Sequence, residues 1–410
     1  MSPEYRRGAR RFRIAAVLAA AALGLGCQTG GERAAVQVHD SAGVRITVLA
    51  DRGTKAPEIR VEPRPSLTIG SEAGPEPYRL FRVWSALRLA NGEVVVSNSG
   101  THELRFFDST GQYIRSSGRQ GRGPGEFDAI SSMFMFRTPD GDIAVLDNDI
   151  RLNLFDSTGT FLRVVGLEPG PDWSRAFLTG VFKDGSWLAL RPGGGFRGEP
   201  GQVIQNTFRY ARYSPGGKSG KVILTTSARP RYVHQAFGRR HYPYIPFTSD
   251  RLVAVNGAQV YLLDGAASEL RVLSEQGTVH RVLQWTAPPR TRSSSVYDRF
   301  VESELEGADD AQRRLYEHFF KTGGLPLPEY VPLYMTMKAG PAGEVWLERY
   351  RLPWDTTGIW EVVNPLEEWR TEVRVPQGVR VYEIGRDYLL GGIRDSLEAE
   401  QVALFPLSRP

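Results

Sequence analysis

Short apolar runs, each preceded by a turn, recur along most of this chain. Residues 91–98 read NGEVVVSN and residues 140–148 read DGDIAVLDN, a turn followed by a nearly continuous apolar stretch. Such a stretch is typical of a β-strand that is buried on both faces. Six signals of this kind occur, at residues 91–97, 140–146, 184–190, 250–255, 342–347 and 385–390.

A second repeat follows each of the first two signals. Residues 104–118 read LRFFDSTGQYIRSSG and residues 152–166 read LNLFDSTGTFLRVVG. Asp108 and Asp156 can accept hydrogen bonds from backbone NH groups later in the turn, and the glycine three residues on can adopt a positive φ. We therefore predict a β-hairpin for each copy. The two aspartates are 48 residues apart, the size of one four-stranded propeller blade.

These patterns predict an all-β fold, a six-bladed β-propeller that spans residues 43–410. Only one strand, residues 401–407, follows the sixth signal, so the last blade lacks an outer strand. Val44–Leu49 alternates like a strand and has no other evident partner. We predict that this N-terminal strand completes the last blade and closes the ring, because closure removes exposed sheet edges.

Two long insertions interrupt the predicted ring. Residues 191–240 and the aromatic string after them are rich in loops. Residues 294–321 instead repeat apolar side chains every three to four positions, which predicts a helical hairpin with Asp309 and Asp310 capping its second helix. We expect this hairpin to pack on the rim of the propeller. A partner-binding or membrane-facing hairpin is the alternative.

The first 27 residues have the three parts of an export signal. Five arginines precede an apolar stretch, residues 14–25, that is too short to span a bilayer, and small residues lead to Cys27, the only cysteine. The sequence LGLGC resembles a bacterial lipobox, with Gly24 at the usual leucine position. We expect a signal peptide over residues 1–26, lipidation of Cys27 and a flexible tether over residues 27–42. A plain secreted protein and an uncleaved anchor are the alternatives.

This address places the protein in the bacterial cell envelope, lipid-anchored and either periplasmic or at the outer membrane. Residues 1–26 carry five arginines and one glutamate, so only +1 of the formal net charge of +5 belongs to the rest of the chain. A body this close to neutral gives no reason to expect a nucleic-acid partner.

Catalytic signatures are missing from the sequence. No G-x-S-x-G elbow occurs and no cysteine lies outside the signal, so we assign no catalytic residue. His234 and His241 could fold together, but no two histidines have ligand spacing on a common element. We therefore expect no cofactor and no metal.

Residues 107–127, FDSTGQYIRSSGRQGRGPGEF, resemble NHL-type repeats and the wider TolB-like group of six-bladed propellers. Units of that group read FD-x-x-G, then an apolar strand, then a glycine-rich tail. The tail positions are held here by Gly118, Gly121, Gly123, Gly125 and Phe127. The resemblance implies the propeller fold. It implies no activity, because the group includes substrate-binding modules, scaffolds, lyases and lactonases.

Candidate ligand-binding residues lie in loops, because propellers bind where the loops between strands converge. Arginine beside aromatic side chains suits anionic sugars, peptides or carboxylates. The candidates are Arg119, Arg122, Arg239, Arg240, His241, Tyr242 and Tyr244. Stacking of these arginines on neighbouring loops, without a ligand, is the alternative.

The sequence as a whole predicts a monomeric binding or scaffolding module that is held on a membrane by its lipid anchor. Its partner would be an envelope protein, a peptide or a carbohydrate. A propeller-type lyase or lactonase with a metal in the channel is the alternative.

Overall fold

Six sheets form the body of the protein, which a computed structural model describes for residues 37–49, 56–128, 133–147, 150–169, 176–321 and 324–409. The four strands of each blade pair antiparallel. The innermost strand of each sheet contacts the innermost strand of the next, and the sixth contacts the first. The sheets are therefore the blades of a closed propeller, which confirms the predicted six-bladed all-β fold.

Each blade runs outward from a strand at the channel. Blade 1 contains Val83–Arg88, Val94–Asn98, Glu103–Phe107 and Tyr113–Ser117. Blade 2 contains Phe134–Arg137, Ile143–Asp147, Arg151–Phe155 and Phe161–Gly166. Blade 3 contains Phe177–Val181, Trp187–Pro192, Thr207–Tyr213 and Ser219–Ser227. Blade 4 contains Arg251–Asn256, Gln259–Asp264, Glu269–Ser274 and Val279–Trp285. Blade 5 contains Tyr334–Ala339, Val345–Arg349, Gly358–Asn364 and Trp369–Val375.

Blade 6 is built from both ends of the described chain. Its inner strands are Arg380–Ile384, Tyr388–Arg394 and Glu400–Ser408, and Leu67–Ile69 is its fourth strand. Arg60–Val61 pairs with the far end of Glu400–Ser408. The predicted closure by an N-terminal segment is therefore present, but it uses a different segment from the one predicted.

Val44–Leu49, the predicted closing strand, lies instead at the outer edge of blade 4. It pairs in parallel with Val279–Trp285, with Arg45 opposite Arg281. The predicted tether also ends earlier than residue 42, because Gln37–Ser41 forms a hairpin with Val44–Leu49. The two-residue turn places Ala42 at φ 52° and Gly43 at φ 81°. The predicted pairing of Val44–Leu49 with blade 6 was wrong because a hairpin can add to the open edge of any sheet, so alternation within the strand does not identify its partner.

The repeated FDSTG turns fold as predicted. Asp108 Oδ1 accepts hydrogen bonds from the backbone NH groups of Thr110 at 2.8 Å and Gln112 at 2.9 Å. Asp156 makes the equivalent bonds in blade 2, and the glycine of each turn has a positive φ, 85° in the first and 83° in the second. The second strands Val94–Asn98 and Ile143–Asp147 are buried throughout, as expected for strands covered by neighbouring blades on both sides.

Two of the sequence predictions within blades 3 and 4 were wrong. Residues 191–240 are not one loop-rich insertion, because they contain the two outer strands of blade 3. The alternation of apolar and polar side chains in TFRYARY was the unused signal. The apolar run at residues 250–255 is the first strand of blade 4, whereas the corresponding runs of blades 1 and 2 are second strands. Gln259–Asp264 is the second strand of blade 4.

The helical hairpin is present where predicted. Helix α1 is Ser294–Glu306 and helix α2 is Asp310–Lys321. The Ser293 hydroxyl accepts from the backbone NH of Val296, and Asp309 Oδ1 accepts from that of Gln312 at 2.8 Å, so both helices begin with a side-chain cap. No helix among the described residues is long and apolar enough to cross a membrane.

All long connections leave the ring at one edge. Strands alternate in direction, so the connections between second and third strands and those between blades meet at the same edge, here called the insertion edge. The short turns of the FDSTG type lie at the opposite hairpin edge. The insertion edge carries residues 193–206, residues 228–250 and the segment 286–333 with the two helices.

Candidate functional site

A cavity of about 530 Å³ lies between residues 229–246 and the helical hairpin, at the insertion edge. It is called the insertion cavity below. One wall comes from the loop that links blades 3 and 4, the other from the inner faces of α1 and α2, and Tyr350 of blade 5 lies at its base. Its lining residues include Arg229, Arg231, His241, Tyr242, Tyr244, Phe300, Glu304, Tyr316, Phe319 and Tyr350.

Two arginines are fixed in this cavity by aromatic rings and backbone carbonyls. The Arg231 guanidinium lies between two rings, 3.7 Å from the centroid of Tyr244 and 4.4 Å from that of Phe196, and donates to the Tyr242 carbonyl at 2.6 Å. Arg229 lies 4.7 Å from the Tyr244 centroid and donates to the Thr248 hydroxyl at 3.0 Å. Stacking and neutral acceptors hold both guanidinium groups in place, and the Asp250 carboxylate accepts from the backbone NH of Arg229 at 2.8 Å.

Neither guanidinium forms an ion pair with a carboxylate of the described residues. The acidic side chain among the lining residues, Glu304, lies on α1, where burial raises its pKa and the charge of Arg229 partly opposes that effect. Glu304 therefore gives up its negative charge more readily than an exposed glutamate as pH falls. The cavity therefore contains two preorganised cations and one lining carboxylate, a balance of charge that suits an anionic group.

Two neighbouring cavities, of about 420 and 610 Å³, lack this property. Their arginines are already paired: Arg290 with Asp355, Arg349 with Glu361, Arg351 with Glu348 and Arg251 with Asp264. An anion would have to displace a carboxylate in either of them. The insertion cavity therefore provides the better anion site.

The wall of the cavity is held together by aromatic contacts and a pair of histidines. Phe247 lies 4.8 Å from Phe300 between ring centroids, which joins the loop to α1. His234, which is buried, lies with its Nε2 2.9 Å from Nδ1 of His318 on α2. Burial lowers the pKa of His234, and the neighbouring His318 and His241 lower it further. The two insertions thus form one packed unit around the cavity.

The candidate residues from the sequence all lie at the insertion edge, but the structure divides them. His241, Tyr242 and Tyr244 line the cavity. Arg239 and Arg240 lie on the exposed side of a hairpin formed by His234–Ala236 and Arg239–His241.

Arg119 and Arg122 belong to the connection between blades 1 and 2, away from this unit. They are highly exposed and pair locally, Arg119 with Glu126 at 2.7 Å and Arg122 with Asp128 at 2.9 Å. Glu126 also accepts from the backbone NH of Gly123 at 2.8 Å, so its carboxylate occupies the centre of the glycine-rich loop. That loop is therefore closed by its own side chains.

Sequence reasoning missed the two arginines that matter most. Arg229 and Arg231 belong to the string ARPRY, just upstream of the aromatic patch that was identified. Alternation of arginine with proline before Tyr232 could have extended the candidate set. Glu304 and Tyr350 could not have been found, because they reach the site only through tertiary packing.

Other predictions concern metals and the N-terminus. No group of three or more His, Cys, Asp or Glu side chains is arranged to hold a metal ion within the parts of the chain that the structure describes. His234 and His241 do come together, as opposite residues of one hairpin. Cys27 and the signal peptide lie outside the described residues.

Comparison with known proteins supports the fold. A family model described as a six-bladed β-propeller matches residues 79–168, which include blade 1 and blade 2. No curated protein sequence matches the chain.

Solved structures of similar fold share little sequence. A candidate exported protein of Bacteroides fragilis has 11% identity and a TM-score of 0.46, over 89% of this chain and 99% of its own. A member of the DUF4221 family from Bacteroides vulgatus has 12% identity and a TM-score of 0.48, over 86% and 99%. Virginiamycin B lyase from Staphylococcus aureus has 9% identity and a TM-score of 0.40, over 86% and 99%. These similarities concern the propeller fold alone.

Proposed function

We propose that this protein is an exported, lipid-anchored binding module of the bacterial cell envelope, and that it holds an anionic ligand in the insertion cavity. The observation that carries the proposal is the Arg229 and Arg231 pair. Both guanidinium groups face a cavity of about 530 Å³ without a carboxylate partner. Both arginines are half-buried, and partial desolvation of a cation without an ion-pair partner costs free energy that an anionic ligand would offset.

The class of ligand follows from the lining. Tyr242, Tyr244 and Tyr316 offer hydroxyl groups and ring faces beside the arginines. Such a lining suits a carboxylate on a sugar or on a peptide, which needs both a charged contact and an apolar or hydroxyl-rich one. Membership of the NHL and TolB-like group and attachment through Cys27 are parts of the same proposal and rest on the sequence motifs.

A lyase or lactonase with a channel metal remains the alternative hypothesis. It predicts stoichiometric metal in the purified protein, together with turnover in a panel of lactone and lyase substrates. No arrangement of side chains among the described residues favours it over a binding role.

The binding proposal is tested by ligand screening with matched variants. Galacturonate, succinate and acetylated peptides with a free carboxyl group would be compared with their neutral amides or sugars by calorimetry. We expect an anionic probe to bind wild-type protein and to bind Arg231→Gln at least tenfold more weakly, because an ionic hydrogen bond contributes roughly 1.5–3 kcal/mol. Arg119→Gln is the control, since Arg119 pairs with Glu126 outside the cavity.

Equal binding to Arg231→Gln and wild type would rule out the insertion cavity as the site. The anchor has a separate test. Mass spectrometry of protein extracted from membranes should show an acylated Cys27 as the first residue. An unmodified N-terminus would refute lipidation and leave the cavity proposal standing.

A further inference from the structure

Beside the insertion cavity, residues 193–204 and 228–246 form one packed unit, here called the cationic lobe. Two short strand pairs hold it: Val203–Ile204 with Arg231–Tyr232, and His234–Ala236 with Arg239–His241. The two segments are cross-linked, since the Val233 NH donates to the Gln202 carbonyl at 2.9 Å. The lobe is therefore a defined surface rather than a set of separate loops.

The lobe exposes apolar side chains. Phe237 at the tip of the hairpin is 67% exposed, Val203 is 49% exposed and Phe196 is 41% exposed. Phe237 also has a φ of +50°, a region in which a bulky side chain is unfavourable, beside Gly238 at φ +74°. Its ring contacts that of His318, with centroids 5.6 Å apart, but most of the side chain is left exposed. Core packing therefore does not account for a phenylalanine at this position, whereas an apolar surface outside the protein would.

The lobe also concentrates positive charge. Its two segments contain five arginines and a single carboxylate, Glu199, whereas the chain after residue 26 has a net charge of only +1. Two of these arginines line the insertion cavity, and the other three, Arg197, Arg239 and Arg240, are exposed. Glu199 is already paired with Arg240 at 2.9 Å. Exposed aromatic and arginine side chains on one surface suit an anionic bilayer, because the rings enter the headgroup layer while the cations meet the lipid phosphates.

The helical hairpin beside the lobe is acidic overall. Residues 294–321 contain seven carboxylates against four lysine or arginine side chains, and Glu317 is next to His318 at the end of α2 that contacts the lobe. The positive surface is therefore confined to the lobe and does not extend along α2.

The register of the N-terminal strands places the start of Gln37–Ser41 at the same edge. Gln37 lies opposite Val48, and Val48 pairs with Gln284 near the end of the outer strand of blade 4. That strand leads into the segment 286–333, so Gln37 begins at the insertion edge. Nine residues lie between Cys27 and Gln37, and the ten Cα–Cα steps can span at most about 35 Å. An acylated Cys27 would therefore hold Gln37 within that distance of the bilayer and allow the insertion edge to reach it.

We propose that the cationic lobe is a membrane-contact surface, which lies on anionic lipid headgroups with Phe237 inserted among them. This inference deepens the proposed function, since it rests on the lipid anchor and fixes how the propeller is oriented beneath it. The insertion cavity would then open beside the membrane and the hairpin edge would face away from it.

The first test uses the fact that Cys27 is the only cysteine and that acylation blocks its sulfur. Phe237→Cys then supplies one reactive thiol for an environment-sensitive fluorophore, and Ser109→Cys, in an FDSTG turn at the hairpin edge, is the matched control. Both acylated proteins are reconstituted in vesicles of phosphatidylethanolamine and phosphatidylglycerol. We expect a blue shift and quenching by a lipid-soluble quencher at position 237 and neither at position 109. Equal access of a water-soluble quencher to both labels would overturn the proposal.

The second test separates the lobe from the anchor. The chain from residue 28 onward contains the whole propeller unit and has no acyl group. We expect it to sediment with phosphatidylglycerol vesicles but not with phosphatidylcholine vesicles, and to bind roughly tenfold more weakly after Arg239→Glu or Phe237→Ser. Unchanged binding by both variants would refute the lobe whatever the state of Cys27.

The two failures can be told apart. Loss of acylation with normal vesicle binding by the unacylated chain would refute the anchor and retain the lobe. Acylated protein with a water-exposed label at position 237 would retain the anchor and refute the lobe. Protection of the label in native envelopes, but not in pure lipid vesicles, would assign the lobe to an acidic protein partner and also overturn the proposal.

Discussion

Ile69 lies directly opposite Val402 in the antiparallel pair that closes the propeller, and each side chain is 1% exposed. Because Leu67–Ile69 covers the outer edge of Glu400–Ser408 near this end, the pair ties the N-terminal part of the described chain to blade 6. We expect Ile69→Ala to lower the free energy of unfolding by about 2–4 kcal/mol, measured by urea denaturation.

The matched variant is Ile46→Ala, in the strand that the sequence had suggested for closure. Ile46 is only partly buried at the outer edge of blade 4, so its truncation should cost clearly less than that of Ile69. A larger loss for Ile46→Ala than for Ile69→Ala would contradict the observed closure.

Local sequence signals were enough for the repeating parts of the fold. The aspartate and glycine of each FDSTG turn specify a hairpin by their own hydrogen bonds and backbone angles, and helix caps such as Asp309 act over three residues. Closure is different. Leu67–Ile69 is only three residues long and finds its partner more than 330 residues away. Nothing in its sequence distinguishes it from Val44–Leu49, which alternates more clearly.

The candidate site likewise combines residues that local sequence identifies with residues that only tertiary packing brings together. The string RRHYPYIP led to His241, Tyr242 and Tyr244, which do line the cavity. Arg119 and Arg122 were grouped with them only because all were loop residues near glycines or aromatics. Which loops meet in space depends on blade order and on the packing of α1 and α2, and no local pattern encodes that.

Tyr334 joins blades 4 and 5 through buried hydrogen bonds. Its hydroxyl accepts from Trp285 Nε1 at 2.9 Å and donates to Glu361 at 2.7 Å, and all three residues are almost fully buried. Tyr334→Phe leaves the indole NH without an acceptor, which should cost about 1–3 kcal/mol of unfolding free energy in urea denaturation. Tyr330→Phe, an exposed position nearby, is the control and should change stability little. Equal effects would show that the buried bonds contribute nothing.

Glu368 fixes the N-terminal hairpin to the ring. Its carboxylate accepts from Arg45 Nε at 2.7 Å, from the Thr47 hydroxyl at 3.0 Å and from Arg281 at 3.0 Å. The hydrogen bond from Arg45, followed by that from Thr47, lowers the pKa of Glu368. The resulting stabilisation is complete above the unfolded pKa of about 4.3 and is lost as pH falls through the folded value.

Glu368→Gln should therefore loosen Val44–Leu49 at neutral pH while the ring stays folded. We expect amide hydrogen exchange to become several-fold faster in residues 44–49 and to stay unchanged in Leu67–Ile69, because the closing strand makes no contact with Glu368 in the observed pairing. Faster exchange in both strands would show that the hairpin and the closure are one cooperative unit.

His234 predicts an acid-sensitive contact between the cationic lobe and α2. Burial, followed by the charges of His318 and His241, lowers the pKa of His234, so the folded protein favours its neutral form. Stability from this contact is complete above the unfolded pKa of about 6.5 and is lost as pH falls through the folded value. Among the described residues, the groups recorded against His234 are the His318 and His241 side chains and the ring of Phe319.

We expect amide exchange in Asp310–Lys321, corrected for intrinsic rates, to become roughly threefold to tenfold faster between pH 7.5 and pH 5.5. His234→Phe keeps the aromatic packing against Phe319 and removes the titrating group, so exchange in α2 should depend much less on pH. His280→Gln is the control, because burial also lowers the pKa of His280, but this residue lies in the outer strand of blade 4. If amide exchange in α2 accelerated as much at low pH in His234→Phe as in wild type, protonation of a group other than His234 would be responsible.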